Sequence, residues 1–146
     1  MIGALLMRWG ARRGWDAFNR GDLAYFRRYY GSGVVMDAPG TPPIGGRFIG
    51  AGEVEAAYQR WTQSLAWFRV TPIHIALSNP WALTLTNTVI TEYRLEGKGH
   101  DGKTFATTAI DVSEMRRGKL VANRTYVFDL AAMEAVERPL PLPAAA

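Results

Sequence analysis

The sequence predicts an α+β fold in which a curved antiparallel sheet and about three helices enclose one pocket, and three observations carry that reading. Apolar residues recur at helical spacing only in the part of the chain before Phe68. From Phe68 onward the pattern turns to runs rich in β-branched and aromatic residues, the mark of strands. Short turn-forming segments separate those runs, so neighbours should pair antiparallel as a meander. Neither a linker nor a repeat divides residues 1–146, which read as a single domain.

Taken in order, Ala4 to Arg20 forms an amphipathic helix with Ala11, Trp15 and Phe18 at helical spacing, despite Gly10 and Gly14. Gly21 ends it, and Asp22 caps a short second helix whose Leu23, Phe26 and Tyr30 share a face, with Gly31 and Gly33 as its stop. Val34 to Met36 is a short strand, followed by the turn-rich run Pro39 to Gly46, too rich in proline and glycine for regular structure. A third helix spans Glu53 to about Leu65, with Val54, Ala57, Tyr58, Trp61 and Leu65 as its apolar stripe. Four strands follow at about Phe68 to Leu77, Trp81 to Leu95, Lys103 to Met115 and Leu120 to Leu130. The tail 139–146 is expected to be loose.

Composition narrows the function. At 146 residues with 48% hydrophobic content the chain can bury one substantial core, and disorder is excluded. With no cysteine there are no disulfides, thiolate metal sites or cysteine nucleophiles, and His74 and His100 alone do not make a metal site. No metal and no cofactor are expected. The apolar start Met1 to Met7 is too short to span a membrane, and its arginines follow it, the reverse of a signal peptide, so a cytoplasmic location is expected. The net charge of +4 rests on scattered arginines, densest at Arg12, Arg13, Arg20, Arg27 and Arg28. Without a concentrated basic face interleaved with stacking aromatics, no nucleic-acid partner is expected.

Three segments carry a resemblance: Phe18-Asn19-Arg20-Gly21-Asp22-Leu23, Val35-Met36-Asp37-Ala38-Pro39-Gly40, and Pro42 to Arg47. Together they resemble the opening of the nuclear transport factor 2-like superfamily, in particular its ketosteroid isomerase branch. Ala109-Ile110-Asp111-Val112 is similar to the isomerase strand that carries a second active-site aspartate, and Gly118 to Tyr126 to the final strand. The resemblance covers about Ala11 to Leu130 and implies a cone-shaped domain with an apolar pocket, paired as a homodimer through the outer face of the sheet. That scaffold hosts isomerases, polyketide cyclases of the SnoaL type, limonene epoxide hydrolases and modules without catalysis, so function rests on the site.

Two aspartates are the candidate catalytic groups. Asp37 ends a strand just before a Pro-Gly loop; the resemblance implies the general base, while Asp in such a place also caps turns. Asp111 lies mid-strand, where Asp is disfavoured, on a face with Ala109, Thr107 and Phe105. Buried there it should be neutral or paired. The resemblance implies an acid that donates to a developing enolate, a role for which ketosteroid isomerase is the standard example; on the outer face it would instead meet an arginine.

The pattern also has departures. The first-helix tyrosine that serves the isomerases as oxyanion donor falls at Gly14, beside Trp15. Tyr30 and Tyr58 match supporting tyrosines and are either donors or packed aromatics. The Asp-Arg-Asp set of the limonene type is missing, since Leu85 to Val89 and Thr125 stand in its places. On the last strand Asn123, Thr125 and Val127 face the pocket by resemblance, and Tyr126 and Phe128 face outward. His74 is a lone strand histidine and His100 a turn residue. Trp15, Phe18, Tyr30, Tyr58, Trp61, Asn123 and Val127 are thus the expected substrate-binding set. The expected function is a cofactor-independent proton transfer on an apolar carbonyl compound, as isomerase or as SnoaL-like cyclase, with a binding or dimerisation module as the alternative outside catalysis.

Overall fold

The computed structural model describes residues 2–42, 45–81 and 86–136. Helix α1 (Ile2–Asn19) and the short α2 (Leu23–Arg27) precede strands β1 (Tyr30–Ala38) and β2 (Gly46–Ile49). Helix α3 (Ala51–Ser64) leads into the long strands β3 (Leu65–Leu77), β4 (Asn87–Gly99) and β5 (Thr104–Arg116), then β6 (Lys119–Val127) and the short α4 (Leu130–Glu134). The order across the sheet is β2-β1-β6-β5-β4-β3, with every pair antiparallel except β1 with β6.

Local chemistry explains most of these elements. The Asp22 carboxylate accepts from the Tyr25 amide and so caps α2, and Asp129 accepts from the Ala132 amide to cap α4. Arg117 and Gly118, both at positive φ, make the two-residue turn between β5 and β6 whose twist suits an antiparallel pair. Asn19 fastens the end of α1 to the sheet: its amide donates to the Val70 carbonyl and its carbonyl accepts from the Val70 amide, each at 2.7 Å.

Several boundaries differ from the expectation, among them the start of β3, which takes Leu65 from the expected third helix. Tyr30, Gly31 and Gly33 belong to β1 and not to the end of α2, because Tyr30 pairs with Leu120 of β6 and that pairing outweighs the local apolar spacing. Gly46 to Ile49, at the end of the turn-rich run, pairs with β1 as an edge strand. β4 starts at Asn87 and continues to Gly99, through residues expected as a turn, because β5 supplies partners as far as Lys98. Leu130 starts a helix and does not end the last strand. Residues 43–44, 82–85 and the tail 139–146 lie outside the described residues.

The concave face of the sheet holds two adjoining cores. One gathers Phe18, Leu65, Val70, Tyr93, Leu95, Phe105, Ala109 and Met133; the other packs Val34 and Met36 of β1 against Val54 and Ala57 of α3. Between them the helices do not fill the cone, and that unfilled space is the candidate site. No helix among the described residues is long and apolar enough to cross a membrane.

Candidate functional site

Period-2 alternation sends one set of residues from each strand into the cone. On β5 that set includes Phe105, Ala109 and Asp111, all buried, and register then places Thr91 of β4 and Thr125 of β6 directly beside Asp111. Two adjoining cavities result, of about 80 Å³ and about 330 Å³. Trp15, Phe18, Tyr58 and Asp111 line both, so Asp111 stands where the two lobes meet. The smaller lobe extends toward Ala38, Pro39 and Met133, and the larger toward Gly10, Tyr29, Met115 and Leu120.

Asp111 is held by donors. Its Oδ1 accepts from the Thr125 hydroxyl at 2.6 Å, a length typical of a charge-assisted O–H···O⁻ bond, and from the Tyr93 hydroxyl at 3.3 Å. Behind Thr125 the chain continues: the Asn123 amide donates to Thr125 Oγ1 at 3.4 Å, and the Ser113 hydroxyl donates to Asn123 Oδ1 at 2.8 Å. Each donation points toward Asp111, so the relay ends on a group that only accepts. Burial pushes the Asp111 pKa up to about 6, against the pull of hydrogen bonds from Thr125, Tyr93 and Asn123. A carboxylate with that pKa is mostly ionised at pH 7 and able to accept a proton. The neutral donor expected from the sequence exists mainly below about pH 6, because three donors offset part of the desolvation.

The tyrosines are the opposite case. Burial, and next the Asp111 charge, raise Tyr58 and Tyr93 well above the usual phenol range; burial, then Glu55, raises Tyr30. All three stay protonated and can donate. Tyr93 spends its proton on Asp111. The Tyr58 hydroxyl makes no hydrogen bond among the described residues, although the side chain lines both lobes.

Asp37 does not join this group. In the parallel pairing Met36 lies beside the buried Asn123 and Asp37 beside the exposed Arg124, so Asp37 is on the convex face. It is half-exposed, its carboxylate is 3.7 Å from the Arg47 guanidinium, and the β1 side chains that line the cavities are Met36 and Ala38 in the smaller lobe and Tyr30 in the larger. The expected pairing of Asp37 with Asp111 in one pocket is therefore corrected: strand parity separates them by the thickness of the sheet.

The expected substrate-binding residues do converge. Trp15, Phe18 and Tyr58 line both lobes, Trp61 and Val127 the smaller, and Tyr30 and Asn123 the larger. Tyr93 and Ser113 carry no signal in the sequence, since only the β4–β5–β6 register reveals that they adjoin the Asp111 network. His74 is exposed and bonds Glu92 at 2.7 Å, away from the cavities, and His100 is an exposed turn residue whose Nε2 meets the Gln63 carbonyl. Among the described residues no group of three His, Asp or Glu side chains could hold a metal ion.

The fold agrees with the comparisons to known proteins. The family model for the SnoaL-like domain matches residues 11–123, which is most of the chain. The chain belongs to the SnoaL-like domain family. Solved structures extend the match to the whole cone. Bal32a, from a soil-derived mobile gene cassette, is 23% identical with a TM-score of 0.79, over 93% of this SnoaL-like domain and 99% of that chain. A putative SnoaL-like polyketide cyclase from Jannaschia sp. CCS1 is 15% identical with a TM-score of 0.70, over 90% and 91% of the two chains. IdmH, a putative polyketide cyclase from Streptomyces antibioticus, is 22% identical with a TM-score of 0.64, over 83% and 90%. At such identities the likeness is one of fold. No curated protein matches this SnoaL-like domain in sequence.

Proposed function

We propose that this domain is a cofactor-independent enzyme that moves a proton on an apolar carbonyl compound, with Asp111 as the base and the Tyr58 hydroxyl as donor to the carbonyl oxygen. One observation carries the reading: among the described residues a single carboxylate, held by donors, lies at the junction of two otherwise mostly apolar lobes. Asp111 takes a proton from the carbon next to the carbonyl, the C–H electrons form the enolate, and the Tyr58 O–H stabilises the oxyanion. If Asp111 returns the proton to another carbon, the outcome is isomerisation. If the enolate carbon attacks a second carbonyl of the same molecule, a C–C bond forms and the proton on Asp111 goes to the new alkoxide. One carboxylate serves both routes, so the loss of Asp37 from the pocket removes neither. Ring closure has the additional support of the structural neighbours described as putative polyketide cyclases.

Solvent exchange of the α-protons of 1-tetralone in D₂O, followed by NMR, tests the chemistry. Wild-type protein is expected to accelerate the exchange and Asp111→Asn to lose that acceleration. Equal rates for the two proteins would remove Asp111 from the mechanism.

For assembly we propose a homodimer through the convex face, where Tyr126, Phe128 and Ile90 are 55%, 72% and 37% exposed. Light scattering at micromolar concentration should give twice the chain mass; a stable monomer would exclude the pair.

A further inference from the structure

The first turns of α1 are apolar on their outward side as well as on the side that packs. By helical periodicity Leu5 and Trp9 lie opposite the buried Gly14 and Phe18, with Leu6 between the two sides. Leu5, Leu6 and Trp9 are 64%, 55% and 54% exposed. Tyr29, which shares the lining of the larger lobe with Leu6 and Trp9, is exposed too. Single exposed leucines are ordinary, whereas a contiguous apolar group marks a surface that something covers. The mouth of the larger lobe opens within this group, because the lobe runs from the exposed Leu6 and Trp9 to the buried Asp111 and Asn123.

Charge identifies what covers it. Arg8 and Arg12 flank Leu5 and Trp9 on one side of the helix, and Arg13 does so on the other, its guanidinium 3.9 Å from the centre of the Trp9 ring. Arg28, 4.8 Å above the ring of Tyr25, adds a positive charge beside the same mouth, which Tyr25 also lines. Among the described residues none of these four arginines is in an ion pair. Asp16, the acidic residue of α1, stands two turns beyond Trp9. The partner is therefore apolar where Leu5, Leu6 and Trp9 enter it and negative around them. A nucleic acid has no apolar layer for the leucines. A protein groove could not wrap α1, whose other side is buried at Gly14, Ala17 and Phe18 and fastened by the Asn19 hydrogen bonds to Val70. A flat surface meets the exposed side alone. We infer that this end of the molecule docks on an anionic phospholipid bilayer, with Leu5, Leu6 and Trp9 among the acyl chains, the arginines at the phosphates, and the mouth of the larger lobe against the surface. Lying on a bilayer takes one apolar side and no span, so an apolar run too short to cross a membrane suffices. The docking is independent of the role of Asp111.

The test is co-sedimentation of the full chain with phosphatidylcholine vesicles, either pure or containing roughly one-third phosphatidylserine. Wild-type protein should bind the mixed vesicles roughly tenfold or more above the neutral ones, and added salt should weaken that binding. Each basic residue at an anionic surface strengthens binding about fivefold, so Arg8→Gln combined with Arg12→Gln should lose about twentyfold. Leu5→Gln combined with Trp9→Gln, both at exposed positions, should lose roughly tenfold or more, with melting curves showing that the variants fold. Brominated acyl chains should quench the tryptophan fluorescence of wild type more than that of Trp9→Phe. Failure to bind the mixed vesicles, equal binding to the neutral ones, equal quenching of wild type and Trp9→Phe, or unchanged binding by either double variant would overturn the inference. So would light scattering in which Leu5→Gln with Trp9→Gln halves the mass found for wild type, since the patch would then belong to a second copy of the chain.

Discussion

Asp37 and Asp111 are both strand aspartates, yet they occupy opposite environments. Asp111, at the centre of β5, is buried, accepts from Thr125 and Tyr93, and has its pKa raised to about 6 by desolvation. Asp37, near the end of β1, faces solvent beside Arg47. The contrast shows that strand position alone does not make a carboxylate functional. What matters is which face of the sheet the helices cover, because only the covered face removes water and makes the charged form costly.

The largest effect that could break this contrast is on rate. Asp111→Asn is expected to slow α-proton exchange by roughly 10²–10⁴-fold, the usual contribution of a general base, while Asp37→Asn stays within about twofold of wild type. If Asp37→Asn proved the more damaging variant, the assignment of faces would be wrong.

The next effect is on stability and pH. Because the folded state holds the Asp111 proton more tightly than the unfolded chain, its contribution to stability is fully present below about pH 4, falls as pH rises through about 6, and is then flat. The upward shift of about two pH units corresponds to roughly 3 kcal/mol. Asp111→Asn should therefore melt higher than wild type at pH 8, with the gap closing toward pH 4, as followed by circular dichroism. A constant gap across that range would mean that Asp111 is not desolvated.

A smaller effect sharpens the role of the relay. In wild type the exchange rate should rise with pH through an apparent pKa of about 6 and then level, as a base requires; a rate that falls above pH 6 would restore the donor role instead. Thr125→Val removes the 2.6 Å hydrogen bond that favours the charged form, so that midpoint should move up by about one pH unit. A midpoint that stays in place would detach Thr125 from Asp111.

The smallest effect concerns the outer carboxylate. Its ion pair with Arg47 is 3.7 Å long and half-exposed, so Arg47→Ala or Asp37→Asn should change unfolding free energy in urea by no more than about 0.5 kcal/mol. A loss of several kcal/mol would show that Asp37 is buried in an assembly through the convex face.

The sequence by itself determined the class of fold and half of the site. Helical spacing before Phe68 and β-rich runs after it require helices on one side of a sheet, and an Asp in the middle of Thr107 to Val112 is costly enough in a strand to mark a special position. For β6, alternation separates Asn123, Thr125 and Val127 from their charged and aromatic neighbours, and the family resemblance implies which of the two sets faces inward. On β1 the same method has nothing to read. Val34, Val35, Met36 and Ala38 are apolar on both parities, so either set could face inward. Only packing of Val34 and Met36 against Val54 and Ala57 of α3 decides, and it turns Asp37 out. The donors around Asp111 were hidden for a related reason: Tyr93 and Ser113 reach the network through cross-strand register, which depends on where β4, β5 and β6 meet and not on any spacing within one strand. Periodicity is a local property and is written in the chain, whereas which face is buried, and what lies across from it, is settled by partners distant in sequence.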